Sequence, residues 1–111
     1  PYNHDEYAAT IIRPFVREQC SWVVEKHGDF QLTYYGHHIG ANPNKREVYN
    51  GHPYFEDCAV FCERWDQSSF DPDFKNRSVE FFKPMVEKVF SRKPYASDVI
   101  RVGERKPLYA I

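Results

Sequence analysis

Apolar positions recur at helical spacing through most of the chain, and clusters of Pro, Gly and Asn interrupt them. In NHDEYAATIIRPF, Tyr7, Ala8, Ile11, Ile12 and Phe15 form one stripe. Asn3 is placed to cap this helix, with Glu6 three residues on as in a capping box. Pro14 limits or kinks it. REQCSWVVEKHG predicts a second helix through Cys20, Val23, Val24 and His27, with Gly28 as its stop. DFQLTYYGHH predicts a short third helical segment, with Phe30, Tyr34 and His37 or His38 on related faces. GANPNKREVYNGHP is a connection, with a short helix over Lys45 to Tyr49.

The clearest helix is PYFEDCAVFCERWDQSSF. Pro53 suits its first turn, and Phe55, Cys58, Ala59, Phe61, Cys62 and Trp65 make a broad apolar face. DPDFKN is a turn cluster. The last helix follows from Ser78 as cap, with Val79, Phe82, Met85, Val86, Val89 and Phe90 as apolar positions and a kink at Pro84. After Pro94 the periodicity is lost, and one short strand is expected over Val99 to Val102. The pattern before that tail predicts an all-α domain with short connections.

Composition narrows the picture. A length of 111 residues fits one domain. Aromatic residues make up 17% of the chain, so Phe, Tyr and Trp must supply much of the core. A net charge of −1, from scattered acids and bases, leaves no electrostatic footprint for nucleic acid. No apolar run approaches the ~20 residues of a membrane span, and no secretory pattern opens the chain, so a cytoplasmic protein is expected. The three cysteines, Cys20, Cys58 and Cys62, form no disulfide framework and are expected as reduced thiols.

Histidine and carboxylate positions are the candidate chemistry: His4, Asp5, His27, His37, His38, His52 and Asp66. An imidazole and carboxylate set suits iron, manganese or zinc. Each position also has an ordinary reading. His27 at a helix end would meet the last carbonyls. His52 fits a turn. Asp5 and Glu6 complement the positive pole of the first helix. Asp66 near a C-terminal pole is harder to place without a cation or an Arg beside it.

Four segments carry a resemblance as a set: PYNHDEYAATIIRPFV, WVVEKHGDFQLTYYGHHIG, GHPYFEDCAVFCERWDQSSFDPDF and FFKPMVEKVFSRKPY. Together they resemble the C-terminal portion of the HD-domain superfamily of metal-dependent phosphohydrolases. They are similar in particular to predicted HD phosphohydrolases, relatives of diiron oxygenases that cleave organophosphonates and of inositol oxygenase. The resemblance implies a helical HD-domain-like bundle over residues 1–95, truncated at the N-terminus, with an irregular tail over 96–111. It also implies metal ligation by His27, by His37 or His38, and by Asp66. His4 would face the substrate or support the ligands. Lys26 would meet a phosphate, and Arg64 or Gln67 would orient Asp66; a solvated polar helix face is the preferred reading of all three.

The family's paired His-Asp, at the end of an apolar helix, and its early His are expected upstream of Pro1. His4 and Asp5 have no apolar helix before them to fill that place. Aromatic faces would then lack packing partners, and a homo-oligomer through them is expected. The function implied is hydrolysis of a small phosphorylated or phosphonate compound with one or two divalent ions, iron or manganese. No catalytic residue is assigned. The alternatives are a diiron oxygenase of the phosphonate-cleaving type and a non-catalytic helical remnant or interaction module without metal.

Overall fold

The computed structural model describes residues 3–94. Over these residues the fold is all-α, with no strand. The tail over 96–111 and the strand expected at Val99 to Val102 lie outside the described residues.

Helix α1 spans His4–Ile12, and the Asn3 side chain accepts from the Glu6 backbone N–H at 3.2 Å, as the capping pattern anticipates. A 3-10 turn over Arg13–Phe15 follows, with Pro14 inside it. Pro14 has no N–H to give to another α-turn, so the winding tightens there.

Helix α2 spans Glu18–Tyr35 without a break. It merges the two segments expected on either side of Gly28, so Gly28 does not stop the helix. The reason lies across the interface with α1. A Cβ at Gly28 would stand 1.9 Å from Asp5 Oδ2. Glycine is there to admit the Asp5 carboxylate against the helix, at a propensity cost of about 1 kcal/mol relative to alanine. His27 consequently sits in the middle of a helix and not at its end.

A 3-10 turn over Gly36–His38 leads into the connection, and a second covers Lys45–Tyr49, where a short helix was expected. Gly40 and Gly51 both have positive φ, at 73° and 86°, which glycine adopts without strain.

Helix α3 spans Phe55–Phe61. The expected single helix continues in direction but changes winding, first to a π-helical turn over Cys62–Asp66 and then to a 3-10 turn over Gln67–Phe70. Helix α4 spans Val79–Phe90, with Ser78 accepting from the Phe81 N–H at 3.3 Å and Pro84 inside.

The core is the seam between α2 and α3. Val23, Phe30, Cys58 and Cys62 are buried there, with Trp22, Tyr34, Tyr49, Phe55, Ala59 and Phe61 packed against them. Phe30 meets Phe55 at 4.9 Å and stacks on Tyr49 at 6.0 Å. The thiols of Cys58 and Cys62 point at α2, toward the carbonyls of Val23 and His27 at 3.7 and 3.5 Å. A hydrogen bond with Cys62 and burial both push the Cys58 thiol well above the usual thiol range. Both behave as small apolar residues.

Two expected stripes pack differently from their periodicity. On α1 the buried residue is Ala9, while Tyr7 and Ile11 face outward. Small Ala9 lets α1 lie close to α2, and the larger residues flank the contact. On α4 every expected apolar position except Val89 is exposed, Val79 to 80%. This helix is tied to α1's end by Phe90 against Phe15 at 5.0 Å and by Arg92 donating to the Phe15 carbonyl at 3.0 Å. Trp65 is also largely exposed, because the wider turn after α3 carries it off the seam.

Candidate metal site between the first two helices

Among the described residues, one group of His, Asp, Glu or Cys side chains converges as a metal site requires: His4, Asp5 and His27. One donor atom from each lies within 4.8 Å of the others. His4 and Asp5 open α1, and His27 faces them from the middle of α2.

The geometry begins with the glycine. Because Gly28 has no side chain, the Asp5 carboxylate lies against α2 beside His27. His27 Nδ1 is bonded to the Val24 carbonyl one turn back. A carbonyl only accepts, so Nδ1 carries a proton and Nε2 is the ring nitrogen left facing outward. Nε2 stands 3.5 Å from Asp5 Oδ1. Between that nitrogen and the carboxylate oxygen a proton or a cation can be shared.

His4 Nε2 lies 2.7 Å from the same oxygen, outside hydrogen-bond geometry. Asp5 Oδ1 is buried and has no hydrogen-bond partner. A buried carboxylate oxygen without a partner is costly, and it marks a place for a positive charge or a donor.

The site is graded in exposure. The side chains of Asp5 and His27 are 16% and 14% exposed, while that of His4 is 74% exposed and forms the open side. The His4 and His27 rings meet edge to face at 5.5 Å. Phe61 closes the apolar wall, its ring edge-on to His27 at 6.0 Å. The Cys62 thiol donates to the His27 carbonyl, so the end of α3 braces the backbone that carries the imidazole.

A third feature lies along α2. Gln31, four residues beyond His27, is 2% exposed, and neither end of its amide has a hydrogen-bond partner. Residues four apart on a helix share a face.

The other expected site residues lie elsewhere. His37 and His38 are exposed in the turn after α2, their rings 3.9 Å apart against each other. Asp66 ends the π-helical turn, half-buried, with its carbonyl accepting from the Ser69 hydroxyl. The structure does not bring these three into the group with His27. Arg64 and Gln67 are exposed. Lys26 lies 3.5 Å from Glu25 and 5.3 Å from the Tyr49 ring centre. His52 occupies a turn as expected; it stacks on Trp22 at 4.2 Å and accepts from the Tyr54 N–H.

Sequence reasoning placed His27 and His4 near a metal but gave Asp5 to the helix pole. The signal that could have found it is Gly28, a glycine where the apolar periodicity continues straight through. Gln31 carried no signal of its own, because a polar residue in a helix is ordinary until its burial is known.

No protein-family model, no curated protein and no solved structure matches the chain.

Proposed function

We propose that the chain is a metal-dependent hydrolase of the HD type, acting on a small phosphorylated or phosphonate compound. The observation that supports this most is the Asp5 carboxylate set between two imidazoles, its buried Oδ1 2.7 and 3.5 Å from their Nε2 atoms without a well-formed hydrogen bond.

The donor set fits a divalent ion. Two imidazole nitrogens and a carboxylate oxygen suit iron, manganese or zinc, with no soft sulfur at the site. His4 Nε2, Asp5 Oδ1 and His27 Nε2 would hold the ion. When bound, a divalent ion lowers the pKa of a coordinated water toward neutrality and polarises a phosphoryl oxygen.

The chain's own residues prepare that chemistry. The Val24 carbonyl fixes the His27 tautomer, so Nε2 is the donor atom offered. Phe61 keeps water from the back of the His27 ring. His4, the most exposed of the three, forms the open side, where substrate would arrive. In this reading Asp66, His37 and His38 are not first contacts of the ion as these residues are arranged, and the literal His-Asp dipeptide is.

The test is hydrolysis of bis-p-nitrophenyl phosphate by purified protein with added Mn2+. We expect release of p-nitrophenol that depends on the ion and is lost in His27→Ala and Asp5→Ala. Metal binding without hydrolysis would move the reading to the oxygenase alternative. Absence of both would leave a non-catalytic helical module.

A further inference from the structure

Helix α4 separates apolar from charged residues more sharply than α1 or α2, and its apolar side is bare. Winding at about 3.6 residues per turn gathers Val79, Phe81, Phe82, Met85, Val86 and Phe90 on one half of the helix. All six are exposed, Phe82, Met85 and Val86 to 45%, 52% and 51%. The helix is fastened at its C-terminal end, where Phe90 meets Phe15 and Arg92 donates to the Phe15 carbonyl. A helix of 12 residues with a proline inside is marginal in water on its own, so its apolar half calls for a cover.

The charges around that half point to the kind of cover. Lys83 and Lys88 fall at its two margins, and Glu80 and Glu87 fall on the side opposite. Arg77 lies over the Phe81 ring at 4.7 Å, which sets a guanidinium at the edge of the apolar half as well. From Lys75 to Lys93 the sequence carries six Lys or Arg and two Glu, a surplus of four positive charges in a chain whose net charge is −1. Cations bordering an apolar face, with acids turned away from it, suit a helix that lies flat on an anionic lipid surface. A second copy fits worse, because pairing α4 with itself in either direction brings basic ends together. A nucleic acid would engage the cations and leave the apolar half in water.

We propose that α4 docks the chain on an anionic membrane surface, lying in the plane of the headgroups without crossing the bilayer. The apolar half enters the acyl boundary, and the long basic side chains reach back to the phosphates. Docking of this kind does not depend on the metal site of His4, Asp5 and His27.

The test is co-sedimentation of the full chain with two kinds of vesicle, phosphatidylcholine alone and phosphatidylcholine with about one-third phosphatidylserine. We expect binding to the anionic vesicles at least about tenfold tighter than to the neutral ones, and weaker at ~0.5 M salt. Lys83→Gln combined with Lys88→Gln should weaken it about tenfold. Phe82→Ser should also weaken it about tenfold, with the fold intact by circular dichroism. Should Phe82→Ser not fold, Met85→Ser replaces it. Equal binding to the two kinds of vesicle would overturn the anionic surface. Binding that neither the lysine nor the apolar variant weakens would overturn α4 as the contact. If the chain pellets with neither vesicle the proposal is overturned outright, and sedimentation equilibrium then tells whether a second copy covers α4 instead.

Discussion

Gly28 is where local preference and tertiary demand conflict most openly. Alanine would suit the middle of α2 better by about 1 kcal/mol. It would also drive a methyl group into Asp5 Oδ2. The atom it meets is the end of a side chain near the first turn of α1, so the carboxylate can swing away. Gly28→Ala should therefore change stability by less than about 1 kcal/mol, as the propensity gain offsets the displacement. It should also abolish metal binding, because Asp5 leaves His27. Urea denaturation and a Mn2+ titration on the same variant check both halves. This glycine also shows where reading the residues fails. In sequence it resembles a helix stop following His27, and only the partner helix distinguishes a stop from a close approach. His27 was legible as a ligand candidate, but its pairing with Asp5 depends on α1 docking against α2.

At the scale of elements, caps and periodicity carried most of the information. Asn3 and Ser78 cap the helices they were expected to cap. Asn3→Ala should cost about 1 kcal/mol, measurable as a lower urea midpoint. The π-helical turn after α3 was not legible, because Cys62 to Asp66 keeps ordinary helical periodicity while the ladder widens. Wide turns of this kind arise from packing and not from a residue signature. The turn over Lys45–Tyr49 is held by Tyr49, whose hydroxyl donates to Asp29 Oδ2 at 2.8 Å while Lys45 lies 3.3 Å from the other oxygen. Burial, and next the Asp29 hydrogen bond, push the Tyr49 hydroxyl up to about 12. The neutral phenol is thus the form the fold favours. An unfolded tyrosine ionises near pH 10, so this contribution is whole below pH 10 and fades as pH rises toward 12. Tyr49→Phe should destabilise by about 1 kcal/mol near neutral pH. Its alkaline stability loss should also be shallower than the wild type's, read from denaturation midpoints between pH 9 and 12.

For the whole molecule, one aromatic seam between α2 and α3 supports everything else. Phe30 is its centre and is fully buried among Trp22, Tyr49 and Phe55. Phe30→Ala should cost about 3–5 kcal/mol, enough to unfold a domain of this size at ambient temperature in mild denaturant. The high aromatic content foretold such a core. It did not foretell that the apolar stripe of α4 would lie outside it, because periodicity marks a face without naming what covers it. Among the described residues no helix is long and apolar enough to cross a membrane.

The site at the α1 and α2 contact joins these scales, since a glycine, a cap-adjacent carboxylate and a mid-helix imidazole meet only when the two helices dock. The claim that this meeting point holds a cation is tested most directly by calorimetric titration of the metal-free full chain with Mn2+ and Zn2+, alongside Asp5→Asn. One ion per chain with micromolar affinity or better, weakened at least a hundredfold by Asp5→Asn, is the predicted result. No heat of binding at millimolar ion, or binding that Asp5→Asn leaves unchanged, would contradict it.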